Sequence, residues 1–145
     1  MSDELDSLLA NFQRAATGAS LDAIRIVEQR LTTVFPPDYV AFMQESDGGE
    51  GDVGTKGYIQ LWPIGTLVEQ NDGYETKSYF RGFVFLGSNG GGEAIALRSG
   101  ANGPELFLTP FIGAASDALF GGRSFAEFLS AYGSGRIWKR EERDP

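Results

Sequence analysis

A chain of 145 residues with 41% hydrophobic and 12% aromatic content fits one domain able to bury roughly two-thirds of its unfolded surface. It holds neither cysteine nor histidine, which excludes disulfides, Cys- or His-ligated metals and nucleophiles activated by histidine. The net charge of −8 is concentrated: Glu45, Asp47, Glu50, Asp52, Glu69, Asp72 and Glu75 stand against Lys56 alone, a field that opposes nucleic acid and anionic membranes and favours a basic protein partner.

In chain order, Leu5, Leu8, Leu9 and Phe12 recur at helical spacing and predict an amphipathic helix over 3–16, with Ser2 as its cap and Gly18 as its stop. A second helix follows Ser20, with Leu21, Ile24, Val27 and Leu31 on its apolar side while Arg25, Glu28 and Gln29 face away. Pro37 suits the first turn of a third helix, Asp38 sits beside its positive end, and Tyr39, Phe42 and Met43 share its buried face. Asp47-Gly48-Gly49 stops that helix, and the acidic run over 47–52 reads as a flexible, solvated loop.

GYIQL then predicts a strand, with Ile59 and Leu61 on one face and Tyr58, Gln60 and Trp62 on the other. A short helix over Leu67, Val68 and Asn71 precedes an Asn71-Asp72-Gly73 turn. Phe83–Leu86 and Glu93–Arg98 flank three glycines as paired strands, and Glu105–Leu108 suits a third. Residues 109–123 are poorly patterned and read as an irregular return. Ser124-Phe125-Ala126-Glu127 matches a capping box for a last helix, with Phe125, Phe128, Leu129 and Tyr132 as its apolar stripe and Gly133-Ser134-Gly135 as its end. Helices first, strands next and a helix last argue for a single α+β domain, its helices packed on an antiparallel-dominated sheet.

Several chemistries can be weighed against this frame. Gly90-Gly91-Gly92 opens no helix, lacks the lysine of a phosphate loop and is followed by Glu93, so it reads as a hairpin turn. An EF-hand register begun at Asp47 places Gly49 and Gly51 where oxygen ligands belong and Tyr58 where the bidentate glutamate belongs, so it fails. No motif supports a carboxylate pair for glycoside hydrolysis. Trp62 and Tyr58 suit packing under a helix better than stacking on a sugar, and Trp138 is flanked by cancelling charges that argue against nucleic acid. No basic leader precedes an apolar stretch and no run approaches a membrane span, so a soluble cytoplasmic protein without cofactor or metal is the expectation.

The ordered set Ile24, Glu28 and Leu31; Phe35-Pro36-Pro37-Asp38-Tyr39; Asp47-Gly48-Gly49; Leu61-Trp62-Pro63; Gly87 with Gly90 to Glu93; and Ser124-Phe125 with Phe128-Leu129 resembles the SUKH superfamily. That superfamily includes the Smi/Knr type cell-wall-assembly regulators and many bacterial immunity proteins. Phe35 stands where the pattern has Leu, Asp47 where it has Asn, and Glu93 where Asp is usual. The resemblance implies an α+β binding scaffold without catalysis, whose bacterial members neutralise toxins, often nucleases. It divides the chain into an N-terminal helix (1–19), a SUKH-like domain (20–133) and a charged tail (134–145). It fits a cognate toxin domain bound by Asp47, Glu50, Asp52, Asp72 and Glu75, with Tyr58 and Trp62 as aromatic anchors. The alternative is a regulatory scaffold that binds host proteins or a small ligand in a sheet-side cleft.

Overall fold

A seven-stranded antiparallel sheet runs in strict chain order through the computed structural model, which describes residues 3–137. Its strands are β1 (Phe12–Arg14), β2 (Gly49–Val53), β3 (Gly57–Leu61), β4 (Phe83–Ser88), β5 (Glu93–Gly100), β6 (Gly103–Pro110) and β7 (Leu119–Gly122). The helices are α1 (Asp3–Leu8), α2 (Leu21–Leu31), α3 (Pro37–Glu45), α4 (Leu67–Gly73), α5 (Thr76–Tyr79) and α6 (Phe125–Gly133). The result is the α+β architecture that the order of elements predicts. Ser2 and the tail around Trp138 lie outside the described residues.

Alternation along the strands divides the apolar residues between two faces. Val53, Ile59, Leu61, Val84, Leu86, Ile95, Leu97, Leu106 and Leu108 pack against α1, α2, α3 and α6 in the main core. Tyr39, Phe42 and Met43 of α3 and Phe125, Phe128 and Leu129 of α6 are its helical contribution, each fully buried. On the other face Phe83, Phe85, Ala94, Ala96 and Phe107 form a second cluster with Phe80 and Ala118.

Capping joins distant parts of the chain. Ser20 accepts from the Ala23 N–H and Ser124 from the Glu127 N–H, as their residue types predict. Asp38 lies in the first turn of α3, yet its two carboxylate oxygens accept from the Phe125 and Ala126 N–H groups at 3.0 and 2.9 Å, so it caps α6 as well.

Four expectations are corrected. The first helix ends at Leu8, and Phe12 enters an edge strand paired with β2, where its ring meets Phe42 edge-on; pairing of the open sheet edge overrides the helical spacing. Glu28 does not face away: it is buried, bridging the Arg25 guanidinium at 2.7 Å and the Phe35 N–H at 2.6 Å, which ties α2 to the entry of α3. The acidic run is not a loop but strand β2. The return over 109–123 contains β7, paired with β6, whose Gly121 and Gly122 run so close beneath α6 that added Cβ atoms would meet Phe128 and Glu127 at 2.5 and 2.7 Å.

Candidate functional site: the helix-free face of β2 and β3

The sequence Gly-Glu-Gly-Asp-Val explains why acids gather on one face. Gly49 and Gly51 turn inward with φ of 136° and 147°, and a Cβ at either would strike Phe12 at 2.6 or 2.8 Å. Glycine therefore lets β1 close on the helix side, and strict alternation sends Glu50 and Asp52 to the opposite side. The β2–β3 register sets Glu50 opposite Gln60 and Asp52 opposite Tyr58, and β1 adds Gln13 opposite Glu50. The two carboxylates stand two residues apart, roughly 7 Å along the strand.

Tyr58 donates its hydroxyl hydrogen to the Glu50 carboxylate. That bond is the main reason its pKa is raised above the ordinary tyrosine value; the negative charges of Glu50 and Asp52 push the same way and Gln60 pulls against them. The glycine turn abuts this patch: a Cβ added at Gly90 would lie 3.5 Å from the Tyr58 ring. Its Gly90, Gly91 and Glu93 amides are already occupied: Asn89 Oδ1 accepts from Gly91 and Glu93, and Ser88 Oγ accepts from Gly90. Gly90 and Gly92 take φ of 75° and 96°, so the turn spends its glycines on backbone shape, as a hairpin requires.

Beside the carboxylates stands an aromatic ledge. Trp62 lies parallel to Tyr74 with centroids 6.1 Å apart, Tyr74 stacks on Phe111 at 4.3 Å, and Phe85 supports both Tyr74 and Phe111 edge-on. Tyr74 is held there by Asn71. Strands β3 and β4 pair at Gln60–Ser88 and Leu61–Gly87, with a last bond from the Trp62 N–H to the Leu86 carbonyl at 3.1 Å, then separate, and the buried Asn71 amide fills the gap. Its Oδ1 accepts from the Phe85 N–H at 2.8 Å, and its Nδ2 donates to the carbonyls of Phe85 and Leu67 at 3.0 and 2.8 Å. One side chain thus replaces a strand neighbour, and α4 runs through the predicted Asn71-Asp72-Gly73 turn before the chain bends at Tyr74 and Glu75.

The predicted contact residues are therefore divided. Glu50, Asp52 and Tyr58 share one face, and Trp62 belongs to the adjoining ledge. Asp72 and Glu75 are exposed on either side of Tyr74 in the chain, and no hydrogen bond joins them to the Glu50–Tyr58 group. Asp47 is turned elsewhere: its Oδ1 accepts from the Ile64 N–H at 2.8 Å and caps the 3-10 turn at Ile64–Thr66. Among the described residues every ion pair draws on Asp6, Glu28 or Glu105, and none on the 45–75 acids. Tyr74 and Phe111 escaped sequence reasoning because nothing local marks residues 12 and 49 positions beyond Trp62 as its neighbours.

Among the described residues no cluster of acids is arranged to hold a metal ion, and no helix is long and apolar enough to cross a membrane. No curated protein matches the chain. The family model described as SMI1 / KNR4 family (SUKH-1) matches residues 18–131, from just before α2 into α6. With the Asp38-Tyr39 entry, the Leu61-Trp62-Pro63 strand end and the glycine turn all inside that span, the chain belongs to the SMI1/KNR4 family (SUKH-1).

Proposed function

We propose that this protein is a non-catalytic binding module of the immunity type, which neutralises a cognate toxin domain by covering its cationic surface. The observation that carries the reading is the juxtaposition of Glu50 and Asp52, which form no ion pair among the described residues, with Tyr58 and the Trp62–Tyr74–Phe111 ledge. Uncompensated carboxylates speed encounter with a basic partner, and half-buried aromatic rings supply the desolvated contact that holds it. A nuclease must present cations to its substrate, so an acidic face can occupy the groups it needs. Asp72 and Glu75 extend the negative field around Tyr74, while Asp47 contributes charge at a distance through its place in the fold.

The test is direct binding of the full chain to each candidate toxin domain encoded near its gene, measured at about 0.05 and 0.5 M salt. Association should weaken at high salt and slow at least about tenfold in a Glu50→Arg, Asp52→Arg double variant. Association indifferent to both would remove the acidic face from the mechanism.

A second reading, a regulatory scaffold with a ligand in a sheet-side cleft, has one supporting feature. An open cleft of about 500 Å³ is lined by Gln13, Arg14, Gly49, Glu50 and Gln60 along the same sheet. Saturable binding of a small molecule there, with no toxin recognition, would favour it.

A further inference from the structure

In so acidic a chain the basic side chains without partners are informative. Among the described residues Arg14, Arg25, Arg98 and Arg123 are held in ion pairs, and Arg136 donates to Ser130 Oγ. Of the four that remain among the described residues, Arg30, Lys56, Lys77 and Arg81, none has such a partner, and Lys77 and Arg81 line one cleft of about 490 Å³ with Thr32, Thr33, Arg98 and Ser99. This cleft lies at the opposite end of the β4–β5 hairpin from the glycine turn, between the end of α2 and the start of β4.

Each wall has a reason to stay as it is. Arg98 is fixed by Glu105 at 3.0 Å and by the Phe83 and Phe107 rings at 5.3 and 4.7 Å. Thr32 takes a left-handed backbone at the end of α2, and its N–H and that of Thr33 are used on α2 carbonyls. The hydroxyls of Thr32, Thr33 and Ser99 form no hydrogen bond with described residues, whereas Glu28 and Glu105, the latter the partner of Arg98, are each already bridged by arginine. The carbonyl end of α2 works against an anion. Two unpaired cations and a third, partly neutralised, outweigh it.

We propose that this cleft binds the phosphate monoester group of a small molecule, with Lys77 and Arg81 supplying charge and the three hydroxyls supplying hydrogen bonds. A dianion with three terminal oxygens uses several cations and several donors at once, which a single carboxylate does not. The volume leaves room for the organic part of the ester. This site is independent of the acidic face.

The experiment is an NMR titration of the full chain with inorganic phosphate, phenyl phosphate and acetate at constant ionic strength. Saturable amide shifts confined to Thr32, Thr33, Gly82 and Ser99, stronger for phenyl phosphate than for inorganic phosphate, are expected. Lys77→Glu with Arg81→Glu should weaken binding at least about tenfold; both residues are exposed, and circular dichroism checks that the variant is folded. Shifts that do not saturate, that spread equally to Arg30 and Lys56, that survive the double variant, or that acetate reproduces at the same concentration would overturn the proposal.

Discussion

Asn71→Ala removes the amide that stands in for a missing strand between β3 and β4. The Phe85 N–H and C=O, both in the buried interior of the second cluster, lose their partners at 2.8 and 3.0 Å. An orphaned buried backbone group costs about 1–3 kcal/mol, and the Leu67 carbonyl loses little because it sits within α4. The expected loss is therefore about 2–6 kcal/mol, a large share of the roughly 5–15 kcal/mol that holds a domain together. Urea unfolding followed by circular dichroism measures it. The same variant frees α4 from β4, so the Trp62–Tyr74 stack should loosen and the near-ultraviolet aromatic signal should fall in native buffer. A loss below about 1 kcal/mol with an unchanged aromatic spectrum would refute the idea that one carboxamide closes the split sheet and positions the ledge.

Asp38→Ala should cost about 1–2 kcal/mol in the same unfolding assay, because two α6 amides lose a charged acceptor, and Asp38→Asn should cost less. Gly87→Ala places a Cβ 2.1 Å from the Gln60 carbonyl within the short β3–β4 pairing, and a loss of several kcal/mol, on the order of 3, is expected in thermal unfolding. The buried Tyr39 hydroxyl has no hydrogen-bond partner among the described residues, so Tyr39→Phe should be neutral or stabilise by up to about 1 kcal/mol at neutral pH; a clear loss would mean the hydroxyl is bonded. Burial first, and the Asp47 charge second, raise the Tyr39 pKa above the ordinary tyrosine range. Its neutral form therefore contributes stability that is complete below that range and lost as pH rises through and beyond it, and Tyr39→Phe should flatten this alkaline decline.

Much of the fold was legible because its signals are local. Ser20 and Ser124 cap where their spacing predicts, Ile59 and Leu61 alternate inward, and the glycine turn lies between two apolar runs. Several errors share one physical cause, a partner that lies outside the element being read. Phe12 became a strand because β2 offered an open edge, and Glu28 turned inward because the Phe35 N–H needed an acceptor. Asp47 sits in the acidic middle segment, and its carboxylate answers an N–H of Ile64, 17 residues on. No local window of sequence contains both Phe12 and the β2 strand it pairs with, and the helical period says nothing of the N–H groups that Glu28 and Asp47 reach beyond their own elements.

The acidic strand is the instructive case, since its signal was present and had the wrong inward residue. Gly49-Glu50-Gly51-Asp52-Val53 alternates as faithfully as Gly57-Tyr58-Ile59-Gln60-Leu61, but two of its inward positions carry no side chain to register as apolar. Phe12 supplies the missing side chain from β1, reaching across the space above Gly49. Core and candidate interface are thus opposite phases of one two-residue period. Any Cβ larger than hydrogen at Gly49 or Gly51 displaces β1 and, through the same strand, shifts Glu50 and Asp52 from their register with Gln60 and Tyr58. The acidic face is therefore held in place by the glycines between its carboxylates, and altering those glycines should weaken partner binding without touching a single charge.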